Sequence, residues 1–395
     1  MEEPGLSIHP NQFVSDLYSI LQRINPGIGE LEPYEFAYCV DNVIPENGWG
    51  SVEPAACADI ERMINTRGFY EGIQLKPRSG GNIVIDKTIL NLTHMLFTGL
   101  IKGIYSVEWV RSRFYFDIRA FVFLCHTVFF TDEVKAHFGG APYRQFEPKQ
   151  NRFECLQEVG YKDFKAANAE IDGAFIESLL RLVRLKGTPI LLSIAGPTAA
   201  GKTEIGERLK RAFDNEGKRI AVIEMDNFLF DRELREGRPM GRETTYVDLF
   251  EASMKELLQG KAASIPHYDS VRSKSSHDLN GSLRPGRQPL VVEPADIIFV
   301  EGNFPFQMSE VTELIGIKIA YLTNDSVRLK RKWKRDVDYR KKYDPNYFVN
   351  RFFATQFLRA QDTYLPQLVV CDLAVDTTAA ALWAAPEIAE LLDRP

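Results

Sequence analysis

The sequence has little cysteine and no long apolar run. Its 395 residues include five cysteines, an odd number without a Cys-x-x-Cys pair, which does not suit a disulfide framework and predicts a reducing compartment. The longest apolar stretch, residues 89–110, is interrupted by charged residues. The next, residues 121–130, has only about half of the ~20 residues that a membrane span needs. The opening Met-Glu-Glu-Pro lacks the basic and apolar segments of a signal peptide. We therefore expect a soluble cytoplasmic protein.

Positive charge is not in excess either. The 48 Lys and Arg residues against 54 Asp and Glu residues give a formal net charge of -6. Such a chain has no global attraction for nucleic acid or anionic membranes, so any basic surface must be local. The six histidines show no spacing typical of metal ligands, and we interpret His94, His126 and His137 as structural residues.

The length predicts two domains, because a single core seldom grows beyond about 250–300 residues. Residues 1–186 are predicted to form a mostly α-helical domain, since apolar residues recur at helical spacing in four segments, 11–24, 55–66, 89–104 and 167–185. This domain carries no motif that indicates chemistry. Capping of a substrate site, self-association and binding of a regulator all stay open for it.

The second predicted domain, residues 187–395, alternates short apolar runs with helical segments. Five runs are interpreted as buried strands, at 190–194, 220–225, 297–300, 317–322 and 373–375. Helical segments such as 203–213 and 249–258 lie between them. Strand, helix and strand in this order predict an α/β fold with a parallel sheet that helices cover on both faces.

A glycine-rich loop follows the first of these strands directly. Residues 196–203 read Gly-Pro-Thr-Ala-Ala-Gly-Lys-Thr, which fits the pattern G-x-x-x-x-G-K-[ST] of nucleotide-binding P-loops. Its backbone amides can converge on phosphate oxygens, and the helix that follows adds the positive end of its dipole. Lys202 can reach the β- and γ-phosphates, and the Thr203 hydroxyl can ligate Mg²⁺. The predicted nucleotide-binding residues are Gly196, Thr198, Ala199, Ala200, Gly201, Lys202 and Thr203, in a fold of the P-loop NTPase type.

Two acidic residues end the next strands. Asp226 follows the second strand, at the sheet edge where open α/β folds bind ligands, and could accept the proton of an attacking hydroxyl. A turn-capping role for Asp226 is equally compatible with its position. Glu301 ends the third strand and suits a Mg²⁺ site if that strand lies beside the P-loop strand. The alternative for Glu301 is a carboxylate that faces solvent.

Five segments in this order resemble the uridine kinase and phosphoribulokinase family: GPTAAGKT, EMDNF, PHYDSVRSK, FVEGNF and RLKRKWKRDVDYRKK. The resemblance covers about residues 188–377 and implies a kinase that uses ATP and Mg²⁺ to phosphorylate a small-molecule alcohol. It implies that Asp226 is the catalytic base, that Tyr268 lies at the acceptor site and that Glu301 is associated with the metal. Arg335 and Arg340 would be lid arginines with a catalytic role. We include Arg272 as a further substrate-binding candidate.

The lid candidates lie in an unusually basic segment. Residues 328–342 contain nine Lys and Arg residues, and mobile arginines that arrive on closure can stabilise a transferring phosphoryl group. A nucleic-acid or nuclear-localisation patch and a solvated helix face are the competing interpretations, and we favour the lid. Nucleic acid is not an expected partner.

The acceptor is less well defined than the reaction. The uridine kinases carry a histidine five residues after the tyrosine, where this chain has Ser273, and residues 275–286 look like a short insertion. A nucleoside acceptor therefore competes with a sugar, a sugar phosphate or a pantothenate-like alcohol. A different class of function also stays open, namely a regulatory protein in which ATP controls partner binding by the first domain.

Overall fold

The computed structural model describes residues 10–66, 68–69, 76–79, 82–84, 86–117, 122–125, 127–149, 165–323, 328, 331 and 360–394. The chain divides into two compact units, one of residues 1–128 and 333–360, the other of residues 129–332 and 361–395. None of the helices in the described ranges is long and apolar enough to cross a membrane. The cytoplasmic location and the domain boundary after residue 186 stay predictions.

Unit 1 is mostly helical in its described part. Its helices are α1 (Pro10–Ile24), α2 (Pro33–Asp41), α3 (Cys57–Ile64), α4 (Lys87–Ile101) and α5 (Val107–Arg113), and its strands form two hairpins, β1–β2 (Lys76–Ser79, Asn82–Val84) and β3–β4 (Phe114–Asp117, Val122–Cys125). The helical spacing in α1 buries Phe13, Leu17 and Leu21 completely. Phe13 stacks on Trp49 with ring centroids 4.4 Å apart, which anchors α1 in the core of this unit.

Unit 2 is an α/β unit. Its helices are α6 (Asp132–His137), α7 (Ala169–Lys186), α8 (Lys202–Asn215), α9 (Arg232–Arg235), α10 (Val247–Leu258), α11 (Ser309–Thr312), α12 (Leu365–Leu368) and α13 (Pro386–Asp393). Its strands are β5 (Arg144–Gln145), β6 (Ile190–Ala195), β7 (Ile220–Glu224), β8 (Ala263–Ile265), β9 (Tyr268–Asp269), β10 (Lys274–Ser275), β11 (Leu290–Val292), β12 (Ile297–Gly302), β13 (Ile317–Leu322), β14 (Leu373–Asp376) and β15 (Ala381–Ala384). All five predicted strands are confirmed, but β7 is not buried as predicted, because it is the edge strand of its sheet and Val222 is 42% exposed.

The central sheet has seven strands in the order β5-β15-β14-β13-β6-β12-β7. The five from β14 to β7 run parallel, and β15 and β5 add antiparallel pairs at one edge. The P-loop strand β6 therefore has β12 on one side and β13 on the other. This order puts the carboxyl ends of β6, β12 and β7 next to one another, which is where α/β folds bind ligands.

Two segments that the sequence analysis grouped with the helical domain belong to unit 2. Helix α7 contributes Ile171, Phe175 and Leu179 to the same apolar core as the strands β6, β12 and β13. Strand β5 extends the sheet by pairing with β15. The amphipathic pattern of α7 predicts a buried face correctly but does not indicate which sheet covers it.

Buried charges link these added segments to the sheet. Asp172 on α7 accepts a hydrogen bond of 2.7 Å from the Tyr321 hydroxyl and pairs with Arg208 on α8. Burial raises the pKa of the Asp172 carboxyl, against the opposing effects of Tyr321 and Arg208. Lys149 is only 3% exposed, and its Nζ lies 3.4 Å from Thr377 Oγ1 at the end of β14.

Lys149 generates a pH-dependent prediction. Burial, and next the charge of Arg331, lower the pKa of Lys149 from 10.5 to about 8, so holding its charge at pH 7 destabilises the folded state. Between pH 8 and 10.5 the folded chain has lost a proton that the unfolded chain keeps, and stability contributed by this residue rises with pH. Lys149→Met should therefore melt several degrees above the wild type at pH 7.

The difference between the two melting temperatures should shrink as the pH rises through that window. Lys210→Met removes an exposed lysine and serves as the control, with melting temperatures that follow the wild type at each pH. A Lys149→Met protein that melts below the wild type at pH 7 would show that attraction from carboxylates outweighs burial at this position.

Candidate active site

The P-loop joins β6 to α8 in a conformation that needs glycine at two positions. A Cβ atom at Gly196 would lie 2.3 Å from the Tyr321 carbonyl oxygen, so a larger residue would displace the loop or β13. Gly201 caps α8 with φ of 111°, in the left-handed region that favours glycine. Ala199, with φ of 63°, also adopts a left-handed conformation. The predicted arrangement of strand, loop and helix is confirmed.

Lys202 is folded back over the loop. Its Nζ donates to the carbonyl oxygens of Gly196 at 2.7 Å and Pro197 at 3.1 Å, and to Asn303 Oδ1 at 3.2 Å. Sequence analysis missed Asn303, although it follows the end of β12 directly. The Gln367 side chain donates to the Asn303 carbonyl oxygen at 2.9 Å and fixes this segment.

Glu301 lies directly beside the P-loop helix. The predicted neighbourhood of its strand and the P-loop strand is confirmed, since β12 pairs with β6 along its whole length. Thr203 Oγ1 donates to Glu301 Oε1 at 2.9 Å, while Glu301 Oε2 is buried and has no hydrogen-bond partner in the described part of the chain. Burial raises the pKa of this carboxyl above its ordinary value, although Lys202 and Thr203 act in the opposite direction.

The buried oxygen of Glu301 and the Thr203 hydroxyl suit a hydrated Mg²⁺ ion. Mg²⁺ prefers oxygen ligands and keeps several of its waters, so that one or two protein groups plus substrate phosphates hold it. Among the described residues no three His, Cys, Asp or Glu side chains group into a metal site of their own. A cation here would therefore also depend on the phosphates of a nucleotide.

Asp226 lies at the same edge of the sheet. It follows β7 in the 3₁₀ turn Met225–Phe228, and β7 pairs with β12 so that Glu224 is opposite Glu301. The negative charges of Glu224 and Asp226 add to the rise in the pKa of Glu301, so both carboxylates lie within electrostatic range of Glu301. The Asp226 carboxylate is exposed and accessible to a substrate hydroxyl.

Tyr268 is held against the turn that carries Asp226. It opens the antiparallel hairpin β9–β10, and its backbone N–H donates to Asn227 Oδ1 at 3.1 Å. Its hydroxyl accepts a hydrogen bond of 2.7 Å from Arg235 Nη2. The structure thus places the backbone of the predicted acceptor tyrosine against Asn227, the residue that follows the predicted base in the sequence.

In the described structure, no side-chain hydrogen bond or ion pair links Arg272 to Asp226 or Tyr268. It lies in the turn of the hairpin, its side chain is 70% exposed, and its Nη1 is 3.5 Å from Asp269 Oδ2. The Asp269 carboxylate also accepts from the backbone N–H groups of Val271 and Arg272 at 3.0 Å. The substrate-binding role of Arg272 stays a prediction.

A buried ion-pair network that sequence analysis missed fixes the hairpin. Asp231 is 4% exposed, accepts from the Ser275 backbone N–H at 2.7 Å and pairs with Arg284 at 3.0 Å and Lys274 at 3.3 Å. Burial alone would raise its pKa, but these partners hold the pKa of Asp231 below its ordinary value. Asp231 lies six residues beyond the predicted strand 220–225, and no motif of the sequence marks it.

The predicted lid arginines Arg335 and Arg340 lie outside the described residues. At the start of the same basic segment, Arg331 Nη1 donates to the carbonyl oxygens of Ala199 at 3.3 Å and Ala200 at 3.1 Å. This contact connects the basic segment to the P-loop, and Arg331 was not singled out from the sequence.

Comparison with known proteins places these features in a family context. The sequence profile of the phosphoribulokinase / uridine kinase family matches residues 191–344. The uridine kinase of Leuconostoc citreum is 30% identical over 161 residues, which are 38% of this chain and 70% of that protein. The uridine kinase of Lactococcus lactis subsp. cremoris is 31% identical over 160 residues, with the same two shares. The solved structure of a possible uridine kinase from Bacillus stearothermophilus aligns with 50% of this chain and 91% of its own, at 17% identity and a TM-score of 0.35.

The buried carboxylate of Glu301 yields a test that does not depend on turnover. Because the pKa of Glu301 is raised in the folded state, the folded protein holds a proton on this carboxyl at pH values where the unfolded chain has released it. The stability that comes from this proton is lost as the pH rises through the folded-state pKa. Glu301→Gln should therefore raise the melting temperature of the nucleotide-free protein at pH 7 by a few degrees. The gain should disappear in acid, where the wild-type side chain is also neutral.

With MgATP added, the wild type should have the higher melting temperature of the two proteins, because only its Glu301 offers a charged metal ligand. Glu313→Gln changes an exposed glutamate and should not alter the melting temperature in either condition. Equal stabilisation of wild type and Glu301→Gln by MgATP would exclude Glu301 from the metal site.

Proposed function

Because the chain belongs to the phosphoribulokinase and uridine kinase family, we propose that it transfers the γ-phosphoryl group of ATP to a hydroxyl of a small metabolite in the manner of a uridine kinase. Membership makes the protein a phosphotransferase that acts on an alcohol group. ATP as the donor, Mg²⁺ as the cofactor, the acceptor and the residue roles below are parts of the proposal.

One observation carries the proposal most directly. The Thr203 hydroxyl and the buried, partly unpartnered carboxylate of Glu301 lie together at the end of the P-loop, and Asp226 adds a nearby exposed carboxylate. A phosphate loop alone serves hydrolases, switches and transferases alike. An accessible carboxylate on the acceptor side is what a transferase needs in addition, because it can take up the proton of the attacking alcohol.

In the proposed reaction the P-loop residues hold the donor. The amides of Gly196, Thr198, Ala199, Ala200, Gly201 and Thr203 would surround the β- and γ-phosphates. The Lys202 ammonium is bound to neutral oxygens in the structure, and phosphate oxygens would replace them in stronger, charge-assisted hydrogen bonds. Thr203 and Glu301 would hold Mg²⁺, which, when bound, reduces the negative charge that repels the attacking oxygen.

Asp226 would act on the acceptor. As the acceptor oxygen bonds to the γ-phosphorus, the bond from that phosphorus to the β,γ-bridging oxygen breaks and ADP leaves. The acceptor proton passes to the Asp226 carboxylate. Tyr268, fixed through Asn227, would orient the acceptor, and Arg335 and Arg340 are proposed to close over the phosphates. Most of the acceleration would come from this positioning.

Asp226→Asn tests the base directly. Removing a general base usually costs about 10²–10⁴-fold in rate, so kcat should fall by that factor while the affinity for MgATP stays within about twofold of the wild type. Coupled ADP assays and calorimetric ATP titrations measure the two quantities, with Lys202→Ala as the variant that loses the donor.

The matched control is Asp248→Asn, which removes a carboxylate that is 87% exposed and paired with Arg242. Its kcat should equal that of the wild type. Full transfer by Asp226→Asn together with normal ATP binding would refute the role of Asp226 as the base.

A further inference from the structure

Arg235 lies against the tyrosine of the proposed acceptor site. Its Nη2 donates to Tyr268 Oη at 2.7 Å, and its guanidinium carbon is 5.4 Å from the centre of the tyrosine ring. Its Nε donates to the Phe230 carbonyl oxygen at 2.8 Å. Arg235 is a half-buried residue, and these contacts hold its guanidinium over the ring.

The contacts of Arg235 differ from those of four other basic residues of unit 2. In the part of the chain that the structure describes, no carboxylate pairs with Arg235. Carboxylates do pair with these four cations: Lys274 pairs with Asp231 and Glu233, Arg284 with Asp231, Arg272 with Asp269, and Arg242 with Asp248 and Glu310. A partly desolvated charge without a counter-charge is costly, and an anionic ligand would remove this cost.

The position of Arg235 connects this charge to the acceptor rather than to ATP. The two groups that hold it are Tyr268, which is bound to Asn227 beside Asp226, and Phe230, four residues after Asp226. The donor phosphates are assigned to the P-loop, where Lys202 supplies the positive charge. An anion at Arg235 would therefore belong to the molecule whose hydroxyl faces Asp226.

We propose that the acceptor is an anionic alcohol, a small hydroxy compound that carries a carboxylate or a phosphate group, and that Arg235 binds this group. The inference rests on the proposed function and specifies its acceptor. A guanidinium presents parallel N–H groups that match either anion, which an ammonium cannot do. The Tyr268 hydroxyl, whose oxygen accepts from Arg235, can donate its own proton to the same anion.

Initial-rate measurements with the full chain, ATP and Mg²⁺ test this on matched pairs of acceptors. The panel contains sugars, polyols and nucleosides, each beside a derivative that carries an acid or a phosphate, such as glucose with gluconate and ribose with ribose 5-phosphate. We expect the anionic member of a pair to have the higher kcat/KM by about tenfold or more, the usual weight of one charge-assisted contact. Comparing the pairs that carry a carboxylate with the pairs that carry a phosphate shows which of the two groups the protein binds.

Variants of Arg235 then link the preference to this residue. Arg235→Gln should raise KM for the anionic acceptor by about 10- to 100-fold with little effect on the affinity for ATP, and Arg235→Lys should restore part of the loss because it keeps the charge without the planar fork. The decisive value is the ratio of kcat/KM for the anionic and neutral members, because misplacing Tyr268 would lower both equally. Arg242→Gln, an exposed and ion-paired arginine, should leave the ratio unchanged.

The inference would be overturned if neutral acceptors had a kcat/KM equal to or higher than that of their anionic partners. It would also be overturned if Arg235→Gln left the ratio of kcat/KM for anionic and neutral acceptors unchanged. Should Arg235→Gln fail to fold, an unchanged ratio in Arg235→Lys would have the same meaning. Each of these results leaves the kinase proposal standing. ADP formation that never exceeds the Lys202→Ala blank with any alcohol would instead overturn the proposed function, and this inference with it.

Discussion

The parallel pairing of β6 with β12 is the constraint on which the rest of the site depends. It brings Glu301 to the end of the P-loop, where the carboxylate accepts from Thr203 at 2.9 Å. The next pairing, of β12 with β7, sets Glu224 opposite Glu301 and carries Asp226 to the same edge. The backbone hydrogen bonds of the sheet therefore fix the positions of the P-loop, Glu301 and Asp226 relative to one another.

This arrangement concentrates negative charge where a nucleotide would add more. Glu301 is buried at this edge of the sheet, the negative charges of Glu224 and Asp226 act on it, and Lys202 donates to carbonyl oxygens of the P-loop. An ATP molecule alone would meet repulsion there, whereas ATP with Mg²⁺ brings its own counter-charge. The raised pKa of Glu301 reflects the cost of keeping that carboxylate buried before a ligand arrives.

Sequence reasoning recovered the part of this site that local pattern determines. A P-loop is contiguous, and Asp226 and Glu301 each come directly after a short apolar run with the length of a strand. It did not recover Asn303, Arg235 or Asp231, because their roles depend on contacts across 33 to 101 residues of sequence. It also assigned α7 and β5 to the first domain, since amphipathicity shows that a face is buried but not which surface buries it.

The most direct measurement follows the phosphorus atom itself. The full chain is incubated with ATP labelled in the γ-phosphate, Mg²⁺ and a mixture of small neutral and anionic alcohols, and the labelled products are separated. Our account predicts that label accumulates in a phosphate monoester of one alcohol and that ADP forms in equal amount. Label that stays in ATP, or that leaves it only as inorganic phosphate, would contradict transfer to an alcohol and with it the role of this site.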